Sequence, residues 1–551
     1  MKRIFSLLLA LGLVLALAAC TTPEPTEAPT DPPLMDESGK FFLDPEANEA
    51  MIPAANAVAT QGNARVYYQI FVGSFSDSNG DGIGDLRGII NRMDYLNDGD
   101  PNSGLSLGIE GIWLTPIFTS VSYHKYDCND YYTVDPKFGT EADLKELIDL
   151  CHSRNVQVIL DLVINHTGTQ HPWFKEFRAA HRDNNTESPY YEYYSYSDTR
   201  ENGRTWSPLQ GSSHFYECNF SHAMPELNYD NPVVREEMVK VAKYYLDLGV
   251  DGFRFDAAKY IYFGDEPRNA DFWLWYMEQL RAIKPDIYTV AEVWDADPLT
   301  YPYFASTNCF NFSMSQNGGR VHQTSRGGNV NSYISYIRQY LDNIQAQKSD
   351  AMLVGFLSNH DMDRSAGYLT MATGQTKLAA NLYLLLPGSP FIYYGEEIGI
   401  LGSRGGANTD ANRRLAMLWG DGDTVKDPEG TDYKAAQANG TVAQQKPNGD
   451  SLYNHYKLVI SARKAHPEIA NGEFTPVKTP GKTGGFISTW EGSSVLVLHN
   501  TQKEPVTVEL SGLTEESFTK LSAILGDTAA TTLEGTTLTI GAQTSVILRK
   551  S

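Results

Sequence analysis

The sequence predicts an α/β fold: a (β/α)8 TIM barrel with an inserted domain after strand three and a C-terminal antiparallel β-sandwich. Three observations predict it. From about Ala64, eight short runs that are apolar on both faces alternate with helical patterns. The connection between the third and fourth runs exceeds sixty residues and is crowded with aromatic side chains. After about Glu468 the helical period gives way to alternating or β-branched runs separated by Gly, Thr and Asn. With 551 residues, 41% of them hydrophobic and 20% charged, the chain can build a large core and more than one domain.

The strand runs are 66–71, 111–116, 156–163, 252–256, 288–294, 310–314, 352–357 and 391–394. A doubly wound open sheet has the same alternation, so periodicity alone leaves it open. Helices carry their own signals. Thr140-Glu141-Ala142-Asp143 reads as a capping start, and Leu144, Leu147, Ile148 and Cys151 then fall on one face. Asn231-Pro232 opens a second helix with the stripe Val234, Met238, Val241 and Tyr245, and Gly249 ends it. Five sandwich strands are expected at 486–490, 495–498, 506–510, 537–540 and 546–548. The expected organisation is barrel over 61–166 and 231–467, insert over 167–230 and sandwich over 468–551.

The first sixty residues read differently. Lys2 and Arg3 precede an apolar run from Ile4 to Leu17, shorter than the roughly 20 residues that span a bilayer. The run ends in Leu17-Ala18-Ala19-Cys20, which resembles the lipobox of bacterial lipoproteins and implies lipidation of Cys20. Residues 1–20 are thus expected to be an export signal. Residues 21–60 open with a Pro/Thr/Glu-rich stretch that reads as a solvated tether. The expected location is outside the cytoplasm, anchored to the membrane by lipid. The net charge of −23 argues against a nucleic-acid partner. Cys128, Cys151, Cys218 and Cys309 are widely spaced without a CxxC pair, which disfavours a thiolate zinc site; buried free thiols are expected, with a disulfide the alternative.

Polar residues at the C-terminal ends of barrel strands face the mouth where such folds place their sites. Here those ends are unusually polar: Asp161, Asn165 and His166 at strand three, Arg254 and Asp256 at strand four, Glu292 at strand five, and Asn359, His360 and Asp361 at strand seven. Carboxylates ending apolar strands destabilise a fold unless they are paired or used.

The segments DLVINHT (161–167), GFRFDAAKY (252–260), AEVW (291–294) and SNHD (358–361) resemble the four conserved regions of glycoside hydrolase family 13, in the family's order. YQIFVGSF, GIWLTPI, YHKYD, MPELN and YYGEEIG extend the likeness over about residues 64–550. The resemblance implies Asp256 as nucleophile, Glu292 as acid/base and Asp361 as the carboxylate that holds sugar hydroxyls. It implies His124, Tyr126, His166 and His360 as contacts to the same sugar and Lys259 as a contact on the leaving-group side, with Asp127 structural. A glycosidic bond breaks through an oxocarbenium-like transition state, so one carboxylate must be ionised and the other protonated; in a retaining enzyme they lie about 5–5.5 Å apart. Arg254, two residues before Asp256, shares its strand face and can keep it ionised.

Asp77-Ser78-Asn79-Gly80-Asp81-Gly82 matches the first half of a calcium loop, but Gly88 stands where an EF-hand has its glutamate. It resembles the strand-one calcium loop of the oligo-1,6-glucosidase branch, which implies Asp77, Asn79, Asp81, the Ile83 carbonyl and Asp85 as Ca2+ ligands. Tyr260 stands where many relatives have a histidine serving a second calcium site, so that site is not expected and Asn165 reads as structural.

The expected function is retaining hydrolysis of α-1,4-glucosidic bonds in starch or maltodextrin, by a monomer. The resemblance also implies α-1,4 over α-1,6 bonds, because α-1,6-specific relatives commonly have valine where Ala257 stands. HKYD and MPELN also resemble neopullulanases and cyclomaltodextrinases, and an α-1,6-glucosidase is the other enzymatic alternative. A catalytically silent glucan-binding protein is the alternative from another class; retention of Asp256, Glu292 and Asp361 speaks against it.

Overall fold

The computed structural model describes residues 60–514 and 516–550. The export signal, Cys20 and all but the last residue of the tether lie outside the described residues.

Seven strands pair in parallel as one sheet. In chain order they are Tyr67–Ile70, Gly111–Leu114, Gln157–Leu162, Gly252–Phe255, Tyr288–Ala291, Asn308–Cys309 and Phe391–Tyr393. The edges meet through the stretch around 354–356. Phe310 bridges Val354, and Phe356 bridges Phe391, both in parallel, so eight strand positions close a ring. Closure decides between barrel and open sheet, which periodicity had left open. The sixth strand lies two residues earlier than the sequence predicts. The seventh is held by isolated bridges rather than a continuous ladder.

The barrel interior is a separate core containing Tyr67, Trp113, Ile159, Tyr288, Val290, Phe310, Val354, Phe356 and Phe391. Tyr67 stacks between Tyr288 and Phe391, with centroids at 4.7 and 4.8 Å. Rings this large need small neighbours. A Cβ on Gly111 would stand 2.3 Å from the Tyr67 ring, and one on Gly252 would collide with the Tyr288 carbonyl. Alternation along each strand then places a polar residue one layer above an apolar one: Gln69 above Tyr67, Asp161 above Ile159, Glu292 above Val290.

The helices form as their caps dictate. Thr140 and Asp143 make a reciprocal capping box, and Leu144, Leu147, Ile148 and Cys151 are buried. Asn231 caps Pro232–Leu248, which ends at Gly249 in a left-handed conformation (φ 111°). Between the third and fourth barrel strands lie a helix, Pro172–Arg182, and a small antiparallel sheet of Tyr196–Ser197, Phe215–Glu217 and Trp206–Pro208. Phe174, Phe177, Tyr194 and Tyr216 pack its interior.

The C-terminal region has a five-stranded and a three-stranded antiparallel sheet, enclosing Leu496, Leu498, Val508, Leu538, Ile540 and Val546. Glu473–Lys478, Lys520–Leu525 and Thr532–Glu534 are strands that the sequence reading lacked. The four described cysteines are buried free thiols.

Candidate active site

Arg254 is the hub of the barrel mouth. Its guanidinium is fully buried, with Nη1 2.8 Å from Oδ1 of Asp161 and 2.6 Å from Oδ1 of Asp256, and Nη2 2.9 Å from Oε2 of Glu292. Three carboxylates from three strands thus share one cation, whose planar fork suits such a role. The Trp113 ring lies beneath it, 5.1 Å from the guanidinium carbon. One positive charge cannot balance three buried negative ones, so the cluster favours keeping a proton on a carboxyl.

Asp161, Asp256 and Glu292 are all pushed upward, so the three carboxyls share that proton. Burial is the largest influence on both Asp256 and Glu292 and pushes both upward, while Arg254 pulls both down. A hydrogen bond from Glu292 also favours ionised Asp256. Glu292 Oε2 accepts the Ala257 N–H at 3.1 Å. That contact needs Ala257 in a left-handed conformation (φ 48°), directly after Asp256. Asp161 is also raised by burial, against the pull of Arg254, and accepts from Trp113 Nε1 (3.2 Å) and Tyr126 Oη (2.8 Å).

Asp361 behaves oppositely. Burial pushes its carboxyl up, but His360, Arg414 and Arg254 outweigh this and hold it far below the usual range. Its Oδ1 pairs with Arg414 Nη2 at 2.7 Å, and its Oδ2 lies 3.0 Å from His360 Nε2. Burial lowers the pKa of His360 against the pull of Asp361, and the Arg414 guanidinium supplies a charge that does not titrate. Gln69 Nε2 donates to His360 Nδ1 at 2.8 Å, which leaves the proton on Nε2, facing Asp361 and the Tyr126 hydroxyl at 2.6 Å. Tyr126 and His360 stack with their planes 2° apart.

Asp256, Glu292, Asp361, His124, Tyr126 and His166 all line one cavity of about 490 Å3. Burial depresses both His124 and His166 to about 4, so both are neutral hydrogen-bonding groups at pH 7. His166 Nδ1 meets Asn165 at 3.2 Å, while its buried Nε2 has no partner among the described residues. Such an orphan at a cavity wall is a ready partner for a ligand hydroxyl. Asn165 also ties the insert down, accepting the Leu227 N–H at 3.0 Å. Asp127 accepts from Ser120 Oγ at 2.6 Å, a loop-shaping role. Lys259 does not line this cavity; its Nζ binds the Trp294 carbonyl (2.9 Å) and Asp295 (3.0 Å). Arg414, Tyr123, Phe220 and Trp294 do line it, yet sequence reasoning missed them. They lie in loops without period; Tyr123 opens the YHKYD segment and Trp294 closes AEVW, but neither side chain was singled out there as lining the cavity.

The strand-one loop offers only hard oxygens, the donor chemistry of Ca2+. Asp77 binds the N–H groups of Asn79, Gly80 and Gly82, and Thr424 donates to it at 2.7 Å. Asp85 caps the following helix through Gly88 N–H and accepts from Ser78. Among the described residues no three His, Cys, Asp or Glu side chains converge as a metal site, so an ion here requires Asn79 and the Ile83 carbonyl as well.

The α-amylase catalytic-domain family matches residues 69–472. "Alpha-amylase 3" of Dictyoglomus thermophilum is 36% identical over 447 residues, covering 80% of this chain and 85% of that protein. A 4-alpha-glucanotransferase of Thermotoga neapolitana is 32% identical over 467 residues, covering 80% and 97%. The solved structure of Eubacterium rectale Amy13B superposes with a TM-score of 0.83 at 34% identity, covering 92% of this chain and 99% of that one. The hub of carboxylates at a barrel mouth and these likenesses agree, and the chain belongs to the α-amylase family of enzymes, glycoside hydrolase family 13.

Proposed function

We propose that the protein is a retaining α-glucan hydrolase that cleaves α-1,4 bonds of starch or maltodextrin outside the cytoplasm. The observation that carries the reading is the sharing of Arg254 by Asp256 and Glu292 at the floor of a cavity walled by Asp361. The Asp256 carboxylate attacks the anomeric carbon as the bond to the leaving oxygen breaks, and Glu292 gives its proton to that oxygen. A glycosyl ester on Asp256 results. Glu292, now ionised, takes a proton from water as that water attacks the anomeric carbon and frees Asp256. Asp361, His360, His124, Tyr126 and His166 hold the ring hydroxyls. Lys259 fixes the loop after strand five on the leaving-group side. The relative named as a glucanotransferase differs in principle only at the second step, where a sugar hydroxyl replaces water.

Product analysis on amylose, pullulan and isomaltose with wild type and Glu292→Gln tests the reading. Maltooligosaccharides from amylose, released with retained anomeric configuration and abolished in the variant, are expected. Cleavage of isomaltose alone overturns the bond assignment, and unchanged activity of the variant overturns the acid/base assignment.

Two companion proposals rest on sequence and donor chemistry. Ca2+ is held by Asp77, Asn79, Asp81, the Ile83 carbonyl and Asp85. Lipid on Cys20 anchors the protein, which predicts that palmitate labelling disappears in Cys20→Ser.

A further inference from the structure

Two histidines of the inserted domain meet nitrogen to nitrogen: His181 Nδ1 lies 2.8 Å from His214 Nδ1. His181 stands in the last turn of Pro172–Arg182, and His214 in the hairpin between Trp206–Pro208 and Phe215–Glu217. Each ring turns its other nitrogen to an acceptor. His181 Nε2 faces the Tyr191 carbonyl at 2.9 Å, and His214 Nε2 faces Oδ1 of Asp198 at 3.1 Å. Ser212 Oγ accepts the His214 backbone N–H at 3.1 Å and lies 3.0 Å from His214 Nδ1, which leaves its hydroxyl proton for that nitrogen.

Two neutral rings have too few protons for these contacts. A carbonyl and a carboxylate only accept, so both Nε2 atoms must carry hydrogen. A neutral imidazole has one N–H, so the two Nδ1 atoms then point lone pairs at each other. Moving either proton to Nδ1 relieves that contact but turns a lone pair on the Tyr191 carbonyl or the Asp198 carboxylate. A third proton would satisfy all three contacts, yet burial lowers the pKa of His181 against its bond to Tyr191. Packing holds the rings in place. His181 stacks on Tyr191 with centroids 3.9 Å apart and planes 15° apart, and Phe177 and Tyr196 wall it at 4.3 and 4.4 Å. Tyr196 also packs on His214 at 5.2 Å.

A cation between the two Nδ1 atoms removes the conflict and leaves both outer N–H bonds intact. Histidine ligands are oriented in this way, with the far N–H on a carbonyl or carboxylate. Two nitrogens ~2.1 Å from one ion and at right angles stand ~3 Å apart, close to the spacing here. The C-terminal end of a helix, where His181 sits, also favours positive charge. Imidazole suits Zn2+, Cu2+ and Ni2+, whereas Ca2+ takes oxygen. Among the described residues no three His, Cys, Asp or Glu side chains converge as a metal site, so a hydroxyl and water must complete the shell. Water has access, since the His214 side chain is 18% exposed and that of Asp198 84%.

We propose that His181 and His214 bind a divalent transition ion of the zinc class through their Nδ1 atoms, with Ser212 and water completing its coordination and Tyr191 and Asp198 orienting the rings. The ion staples the helix to the hairpin that leads to Phe220 at the wall of the catalytic cavity. It takes no part in cleavage, and the proposal stands whatever bond the enzyme cuts.

The test is titration of Zn2+ into the full chain by calorimetry, with Ca2+ in excess so that the strand-one loop does not compete. One equivalent should bind and raise Tm. His181→Ala and His214→Ala should each abolish that binding. Asp198→Asn, which keeps both ligands, should weaken it about tenfold, the order that an outer hydrogen-bond partner contributes. Should His181→Ala fail to fold, the wild-type titration and Asp198→Asn, altered only at an exposed side chain, still decide. Zn2+ uptake that survives both histidine replacements places the ion elsewhere, and absence of uptake by wild type leaves the pair a proton-sharing contact. Either result overturns the proposal.

Discussion

Arg254 Nη1 lies 2.6 Å from Oδ1 of Asp256 while the same nitrogen reaches Asp161 at 2.8 Å. One guanidinium therefore binds the candidate nucleophile and sets its charge. Arg254→Lys removes the fork that reaches Glu292 as well, because an ammonium is a single point charge. An ammonium reaches fewer of the three carboxylates, and leaving a buried one without its partner destabilises a protein by about 3–5 kcal/mol. Urea unfolding should show a loss of that order, with activity on maltohexaose gone. A variant as stable and active as wild type would remove Arg254 from the centre of the site.

Arg414→Met tests what keeps Asp361 ionised. The folded-state pKa of Asp361 is depressed, so its pairing stabilises the fold above the unfolded pKa and is lost as pH falls through the folded value. Without Arg414 that folded value rises. The acid limb of kcat/KM should move to higher pH, and stability at neutral pH should fall. An unmoved acid limb alongside reduced kcat would mean that Arg414 acts on substrate rather than through Asp361.

Chelation tests the strand-one loop. A bound ion at a hundred times its Kd stabilises by about 2.7 kcal/mol. EDTA should lower Tm, added Ca2+ should restore it, and Asp81→Ala should remove the response. A Tm indifferent to EDTA and Ca2+ would refute the calcium proposal.

Glu396 gives a stability signature away from the catalytic cavity. It is fully buried and accepts from Tyr383 (2.8 Å), Tyr456 (2.9 Å) and Ser358 (3.3 Å), with no cation in contact among the described residues. Burial first, and neighbouring Glu397, push its pKa from 4.5 to about 8 against those hydrogen bonds. A raised folded pKa means the folded state binds the extra proton. The stability that this contributes is complete below 4.5 and is lost as pH rises through about 8. Glu396→Gln should flatten the fall in unfolding free energy between these limits. A slope equal to that of wild type would place the titration elsewhere.

Much of the candidate site was legible in the chain because strands impose period two. Once Val290 faces the barrel interior, Glu292 must face the mouth, and the same step links Ile159 to Asp161. Helix ends were legible for a similar local reason: Thr140 and Asn231 bond to N–H groups two or three residues away. The sixth and seventh strands were less so, because only short bridges hold them and their neighbours rather than their own residues define their limits.

By itself the sequence determined which residue types arrive at the mouth of the barrel, since alternation, caps and motif order are properties of nearby residues. Tertiary structure alone decided their partners. Arg414 reaches Asp361 across 53 positions, Arg254 reaches Asp161 across 93, and Trp294 rests on Phe312 from a different loop. Such contacts follow from ring closure and packing between distant segments, and these leave no period in the chain.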